Sequence, residues 1–279
     1  MNAQHDLRNL SVANLTAGRV DPVEFIVSAA EAGFGAVGLL LMSATPARLE
    51  HELVGSPEAM RAVKSALADH PIRVFDIEAF ILSPATDFER MRRAMEAGAE
   101  LGATYLSSIG TEFAGNSKFL EPSERIDLFA RLCDEAANFG LRVGVEFMLY
   151  RDILTWKDAL DLIQAADRPN ASLIVDFLHL HRAGGTAAEI ATVPAHRIAY
   201  AQLCDASSTA PDLGGLAIEA RRNRLRLGEG AIDLKGLIGA LPEGTQLVIE
   251  TPIAEDAHMP LGQRLAATAS ATTRFFNEI

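Results

Sequence analysis

The chain has 279 residues, 49% hydrophobic and 22% charged, and its 25 Lys and Arg against 37 Asp and Glu give a formal net charge of −12. That length and apolar content suit one closed α/β barrel better than two small domains, and the acidity repels phosphate backbones and anionic lipid, so neither nucleic acid nor membrane is an expected partner. Cys133 and Cys204 are the only cysteines and offer no disulfide framework; with no apolar run of membrane-spanning length and no basic-then-apolar leader at the start, a cytoplasmic, reducing location is expected.

Short apolar runs alternate with amphipathic segments along the whole chain. A strand over 7–13 is followed by a helix over 22–32, a strand over 36–42 by a helix over 57–69, and a strand over 72–78 by a helix over 87–101. The strand at 103–108 leads to a helix at 121–139, that at 141–146 to 155–166, and that at 172–176 to 186–191. Strands at 198–203 and 246–250 with helices at 232–240 and 260–277 complete the series. Runs such as AVGLLLM and SLIVDF are continuous apolar stretches, as strands covered on both faces require. Pro22, Pro57 and Pro122 fall in first helical turns, Asp21, Ser56 and Thr155 stand where N-caps belong, and Gly33, Gly102 and Gly140 follow helix ends. Eight strand–helix units without a linker predict a single (β/α)8 TIM barrel over 1–279. An open doubly wound sheet is the alternative, disfavoured because no glycine-rich phosphate loop follows the first strand. The longest irregular stretch, 204–230, follows the seventh strand, on the face where barrel enzymes keep their active sites.

Four strand ends carry oxygen donors: Glu146 in RVGVEF, Asp176 in SLIVDFLH, Gln202 in IAYAQLCD and Glu250 in QLVIET. Parallel strands bring all four to one end of the barrel. Buried carboxylates there must be paired, hydrogen-bonded or metal-bound, and three carboxylates with a carboxamide make an all-oxygen cage for a hard divalent cation. Each acid taken alone could instead cap a helix or pair with a basic residue. Glu78, at the end of IRVFDIEAF, is a candidate pocket residue; Asp76, two residues before it on the same face, competes for the inward position. Glu112 is a weaker candidate. Phe80, Phe113, Phe147, Phe177 and Trp156 could wall the site or simply pack.

VGVEF, VDFLH, AQLCD and VIETP together resemble the xylose-isomerase-like barrel superfamily of sugar isomerases, epimerases and related dehydratases. The resemblance covers most of the chain and is densest over 141–252. It implies that Glu146, Asp176, Gln202 and Glu250 hold one divalent ion, Mn²⁺ first, with Mg²⁺ or Co²⁺ as alternatives. It makes His179, three residues past Asp176, and Arg224, in the RRNRLRLGEG stretch, substrate-binding residues. The four arginines of that stretch leave its register open. Most sugar epimerases of the family carry His where this chain has Gln202, a substitution shared with dehydroshikimate-dehydratase relatives. The multi-zinc DNA-repair branch is disfavoured by the net charge and by the absence of a histidine cluster.

The expected reaction is proton abstraction next to a carbonyl through an enediolate, with Glu146 and Glu250 as base and acid. The substrate would be a polyol, keto-sugar or keto-acid, without support for a phosphorylated one. Isomerase or epimerase chemistry comes first, a dehydratase or lyase second, and a non-catalytic metabolite-binding barrel third. The resemblance also allows a homo-oligomer.

Overall fold

Apolar, β-branched runs place eight short strands side by side, because each can bury both faces only between a bore and a helical shell. The computed structural model describes residues 6–42, 49–113 and 117–279. The strands are β1 Ser11–Val12, β2 Ala36–Leu40, β3 Arg73–Ile81, β4 Tyr105–Ile109, β5 Arg142–Glu146, β6 Ala171–Asp176, β7 Ile198–Leu203 and β8 Leu247–Ile249. Each pairs in parallel with the next and β8 returns to β1, closing a (β/α)8 barrel. The open-sheet alternative is thereby excluded.

The capping chemistry follows the expected punctuation. Asp21 accepts from Val23 and Glu24 N–H to start Pro22–Glu31, Ser56 starts Pro57–Asp69, and Thr155 opens a capping box on Trp156–Ala166. Gly102, at φ 79°, takes the left-handed turn between Phe88–Glu100 and β4.

Three segments differ from the sequence expectation. The strand expected over 7–13 is confined to Ser11–Val12, because Asp6 caps a short 3-10 turn at Leu7–Asn9. A helix not anticipated, Phe177–Arg182, starts directly on the end of β6. The stretch 204–230 contains a ten-residue helix, Leu213–Arg222, nucleated by Asp212 accepting from Gly215 N–H at 2.8 Å. Two consecutive glycines, Gly214 and Gly215, had masked its helical pattern.

The main core lies between strands and helices, and a smaller apolar cluster fills the bore: Ala13, Ala36, Phe75, Tyr105, Ile174, Ala199, Tyr200 and Val248. Phe75, Tyr105 and Tyr200 pack with ring centroids 5.1, 5.5 and 5.6 Å apart. Arg73 and Arg142, opening β3 and β5, lie over Phe75 and Tyr105 at 5.4 Å and close the strand-start end. The carboxyl ends of the strands are left to carry polar groups. Among the described residues no helix is long and apolar enough to cross a membrane.

Candidate metal and substrate site at the carboxyl end of the barrel

Alternation along parallel strands aims the four strand-end donors into one mouth. Glu146 ends β5, Asp176 ends β6 opposite Gln202 on β7, and Glu250 follows β8 two positions past Val248, the register partner of Gln202. All four are buried, at 6, 0, 3 and 3% exposure. One ligand atom each from Glu146, Asp176 and His179 lies within 4.8 Å of the other two. The backbone explains why His179 joins them. Asp176 caps the helix Phe177–Arg182, accepting from His179 N–H at 2.9 Å. That cap turns the imidazole back over the strand ends, with Nε2 3.6 Å from Glu146 Oε1 and the ring edge-on to Tyr150.

Arg224 supplies the counter-charge. It is 2% exposed, donates from Nη1 to Asp176 Oδ2 at 2.6 Å, and holds Nη2 3.1 Å from Glu250 Oε2. The second contact pairs charge but is poorly aligned, so Glu250 Oε2 keeps no hydrogen-bond partner. Isolated antiparallel bridges on either side, Asn223 with Ile253 and Leu225 with Asp205, fix its register. Two of the neighbouring arginines are engaged elsewhere: Arg221 pairs with Glu112 and Arg226 with Asp256. The bridge at Leu225 depends on Asp205, whose buried carboxylate accepts from Ala206, Gly230 and Ile232 N–H at 2.9, 2.9 and 3.0 Å. A Cβ on Gly230 would come within 2.4 Å of that carboxylate, so only glycine lets the chain pass so close.

Burial sets the protonation of this cluster. It drives Glu146 well above the usual carboxylate range, with Glu250 and Asp176 adding to the shift. It also raises Glu250 to about 8, although Arg224 opposes the shift. Burial would raise Asp176 too, but Arg224 and His179 outweigh it and hold that group below its ordinary value. Burial takes His179 down to about 4 against the pull of Asp176, with Arg224, Arg151 and Arg221 adding to the fall, so its imidazole is neutral at pH 7.

Asp76 and Glu78 did not compete for the interior: both point into it. Asp76 is 1% exposed and accepts from the Tyr200 hydroxyl at 3.1 Å, yet its Oδ1 and Glu78 Oε1 are buried without hydrogen-bond partners among the described residues. Burial raises Asp76 to about 7 and drives Glu78 well above the usual carboxylate range, the latter also pushed by Asp76, Glu250 and Glu146. The sequence had no signal for Tyr200, which looks like any strand aromatic, nor for Arg151. Arg151 is 4% exposed, donates to the Gly110 carbonyl at 2.6 Å and shares Glu112 with Arg221. Of the aromatics considered as a wall, Phe80, Phe147, Phe177 and Trp156 pack in the main core, while Phe113 is exposed on the rim against Phe119.

Comparison with known proteins decides the family. A family model described as xylose isomerase-like TIM barrel matches residues 26–272. The chain belongs to that family. It is 28% identical over 244 residues to a 3-dehydroshikimate dehydratase of Pseudomonas aeruginosa, covering 83% of this chain and 35% of that protein. It is 26% identical over 162 residues to an inosose isomerase of Bacillus subtilis, covering 57% of this chain and 55% of that protein. The chain thus spans only part of the length of the curated relatives it matches. Among solved structures, the IOLI protein with a zinc atom superposes with a TM-score of 0.78 at 16% identity, covering 96% of this chain and 98% of the other. A D-allulose 3-epimerase from Methylomonas sp. in complex with D-allulose superposes at 0.68 with 18% identity, covering 96% of each chain. These likenesses carry the fold.

The family implies a divalent cation, and the residues present fit one. Gln202 Oε1, Glu250 Oε2 and His179 Nε2 are buried without a hydrogen-bond partner among the described residues, an arrangement costly to leave unmet. Beside Glu146 and Asp176 they offer oxygen donors and one neutral imidazole, a set suited to Mn²⁺, Mg²⁺, Co²⁺ or Zn²⁺.

Proposed function

We propose that this chain is a metal-dependent isomerase or epimerase of a keto-polyol, working by proton transfer next to the carbonyl. The observation that carries the reading is the buried cluster of Glu146, Asp176 and His179, flanked by Gln202 and Glu250 with unmet acceptors. Glu146, Asp176, Gln202 and Glu250 would hold the ion, with His179 at the edge of the same cluster. When bound, the cation supplies Lewis-acid polarisation of the carbonyl and of a neighbouring oxygen.

The chain's own residues then divide the work. Glu146 on β5 and Glu250 past β8 have β6 and β7 between them, so they reach a ligand from two sides. Burial raises the proton affinity of both carboxyls in the metal-free protein, and proton exchange with a carbon acid calls for a carboxyl more basic than a free one. Glu146 takes the proton from carbon on one side and the carboxyl of Glu250 returns one on the other. His179 orients a substrate oxygen through Nε2, its nearest acidic neighbour being Glu146 at 3.6 Å. Arg224 is a positioning residue that keeps Asp176 and Glu250 fixed.

A second reading, dehydration of a hydroxy-keto acid, is supported by the match to 3-dehydroshikimate dehydratase over 83% of this chain and by Gln202. Incubation with inosose, D-allulose and 3-dehydroshikimate in D₂O, followed by mass spectrometry, separates the two. Deuterium uptake without mass loss supports isomerisation; loss of water supports the dehydratase. Glu146→Gln and Glu250→Gln should each abolish the product without unfolding the barrel, and near-normal turnover in either removes the mechanism. A parent that holds no metal after manganese repletion, when Asp176→Ala also holds none, leaves a binding barrel instead.

A further inference from the structure

The strands opposite the metal cluster hold a second group that the reaction above does not use. Eight strands in a ring put β3 diametrically across from β7, and Tyr200 of β7 spans the bore to donate to Asp76 Oδ2 at 3.1 Å. Asp76, 1% exposed, keeps Oδ1 unpartnered, and Glu78, one outward step along the same face, keeps Oε1 unpartnered. Both oxygens converge over Gly38 of β2: a Cβ there would stand 2.7 Å from Asp76 Oδ1 and 2.9 Å from Glu78 Oε1. A missing side chain on one strand therefore makes the recess that two acid head groups share.

We propose that Asp76 and Glu78, seated over Gly38, form a hydroxyl-accepting subsite that selects an uncharged polyhydroxylated ligand over one bearing a carboxylate. The proposal rests on the keto-polyol reading and adds the residues that choose among its substrates. The unmet atoms on this side of the mouth are acceptors, so the ligand must bring donors, and hydroxyl groups do so without charge. A carboxylate placed there would face two acids. The arginines around the mouth do not invite an anion either. Arg224 is taken by Asp176 and Glu250, Arg182 by Glu219, and Arg151 and Arg221 by Glu112. Arg151 keeps a buried Nε without a hydrogen-bond partner among the described residues. Glu78 meets the ligand directly; Asp76, deeper and held by Tyr200, accepts the second hydroxyl and keeps Glu78 in place.

The test is calorimetric titration of the manganese-loaded protein with inosose and D-allulose, both uncharged, and with 3-dehydroshikimate, a carboxylate. The parent should bind at least one uncharged ligand more tightly than the carboxylate. Glu78→Met, which removes the acceptor at similar volume, should weaken that ligand about tenfold, the loss of one buried hydrogen bond. Asp76→Asn keeps shape and fold and should weaken it about threefold. Binding of 3-dehydroshikimate should be unchanged or tighter in both variants, which a merely structural role would not produce. Uncharged-ligand affinity within twofold of the parent in both variants overturns the subsite, and so does a parent that prefers the carboxylate or binds neither uncharged ligand. Metal content measured on the same samples keeps the two readings apart. A protein without metal strikes the proton-transfer mechanism, while its polyol titration still judges Asp76 and Glu78.

Discussion

The two sides of the barrel mouth hold acids in opposite circumstances. On β5 to β8, Glu146, Asp176 and Glu250 lie around a fully buried arginine, and Asp176 is held ionised by Arg224 at 2.6 Å. On β3, Asp76 and Glu78 form no ion pair among the described residues; a phenol and each other are their neighbours, Glu250 and Glu146 also press on Glu78, and both are driven towards the neutral form. Burial raises Glu146 and Glu250 as well, so the contrast rests on Asp176, the acid that Arg224 meets with a hydrogen bond at 2.6 Å. A carboxylate kept ionised is ready to meet a cation, whereas one kept bare is ready to meet a hydroxyl.

Removing the counter-charge should break this contrast most sharply. Arg224→Met leaves two buried carboxyls facing one another, and the metal-free protein should lose about 3–5 kcal/mol in urea denaturation, the range for stripping one partner from a buried pair. A loss below about 1 kcal/mol would mean the acids simply protonate and the arginine is dispensable. Asp205→Ala should cost about 2–4 kcal/mol by stranding three backbone donors. It should also weaken manganese binding, because the Leu225 bridge that holds Arg224 in register would loosen. Unchanged metal affinity would show that Asn223 and Ile253 fix the arginine alone.

The shift at Asp76 has the opposite sign to that at Asp176. The folded pKa of Asp76 lies above its unfolded value, so between pH 3.8 and about 7 the native protein holds a proton that the unfolded chain has released. Stability therefore falls as pH rises through that window and levels off above it, at most about 1.4 kcal/mol per pH unit for one proton. Asp76→Asn should flatten this part of the curve, matching the parent near pH 4 and exceeding it above pH 7. Denaturation of metal-free protein across that range checks it, and parallel curves for the two proteins would count against a bare buried Asp76.

Strand ends were legible because alternation and parallel order are rigid rules: an acid closing a buried apolar run must point into the mouth, as Glu146 and Asp176 do. The same rule put Asp76 and Glu78 on one face but could not show that Gly38, on a neighbouring strand far away in sequence, makes room for both. Arg224 could not be singled out by composition, since four arginines share its stretch, and the choice is made by two bridges to remote residues, Ile253 and Asp205. Nor could a local pattern place His179 beside Glu146, because the turn that brings them together is made by Asp176 acting as a helix cap. What escaped the sequence was contact between strands, and what it carried was direction along them.

The smallest expected effect lies on the rim, where Glu112 joins Arg151 of the loop after β5 to Arg221 of the helix Leu213–Arg222. This cluster sits between the two extremes, because Arg151 is 5% exposed at the side chain while Arg221 is 42% exposed and Glu112 28%. If the exposed partner governs, solvent screens the pairing and Glu112→Gln should cost less than about 1 kcal/mol, with the loss shrinking further in 1 M salt. If the buried partner governs, the same change leaves Arg151 an uncompensated charge, as at Arg224, and the cost rises above about 2 kcal/mol with little response to salt. The first outcome is expected, because Arg151 also donates to the Gly110 carbonyl at 2.6 Å and would keep that bond without Glu112. Urea denaturation at low and high salt decides it, and a large, salt-insensitive loss would move the boundary of the charge-balanced side outward to include the rim.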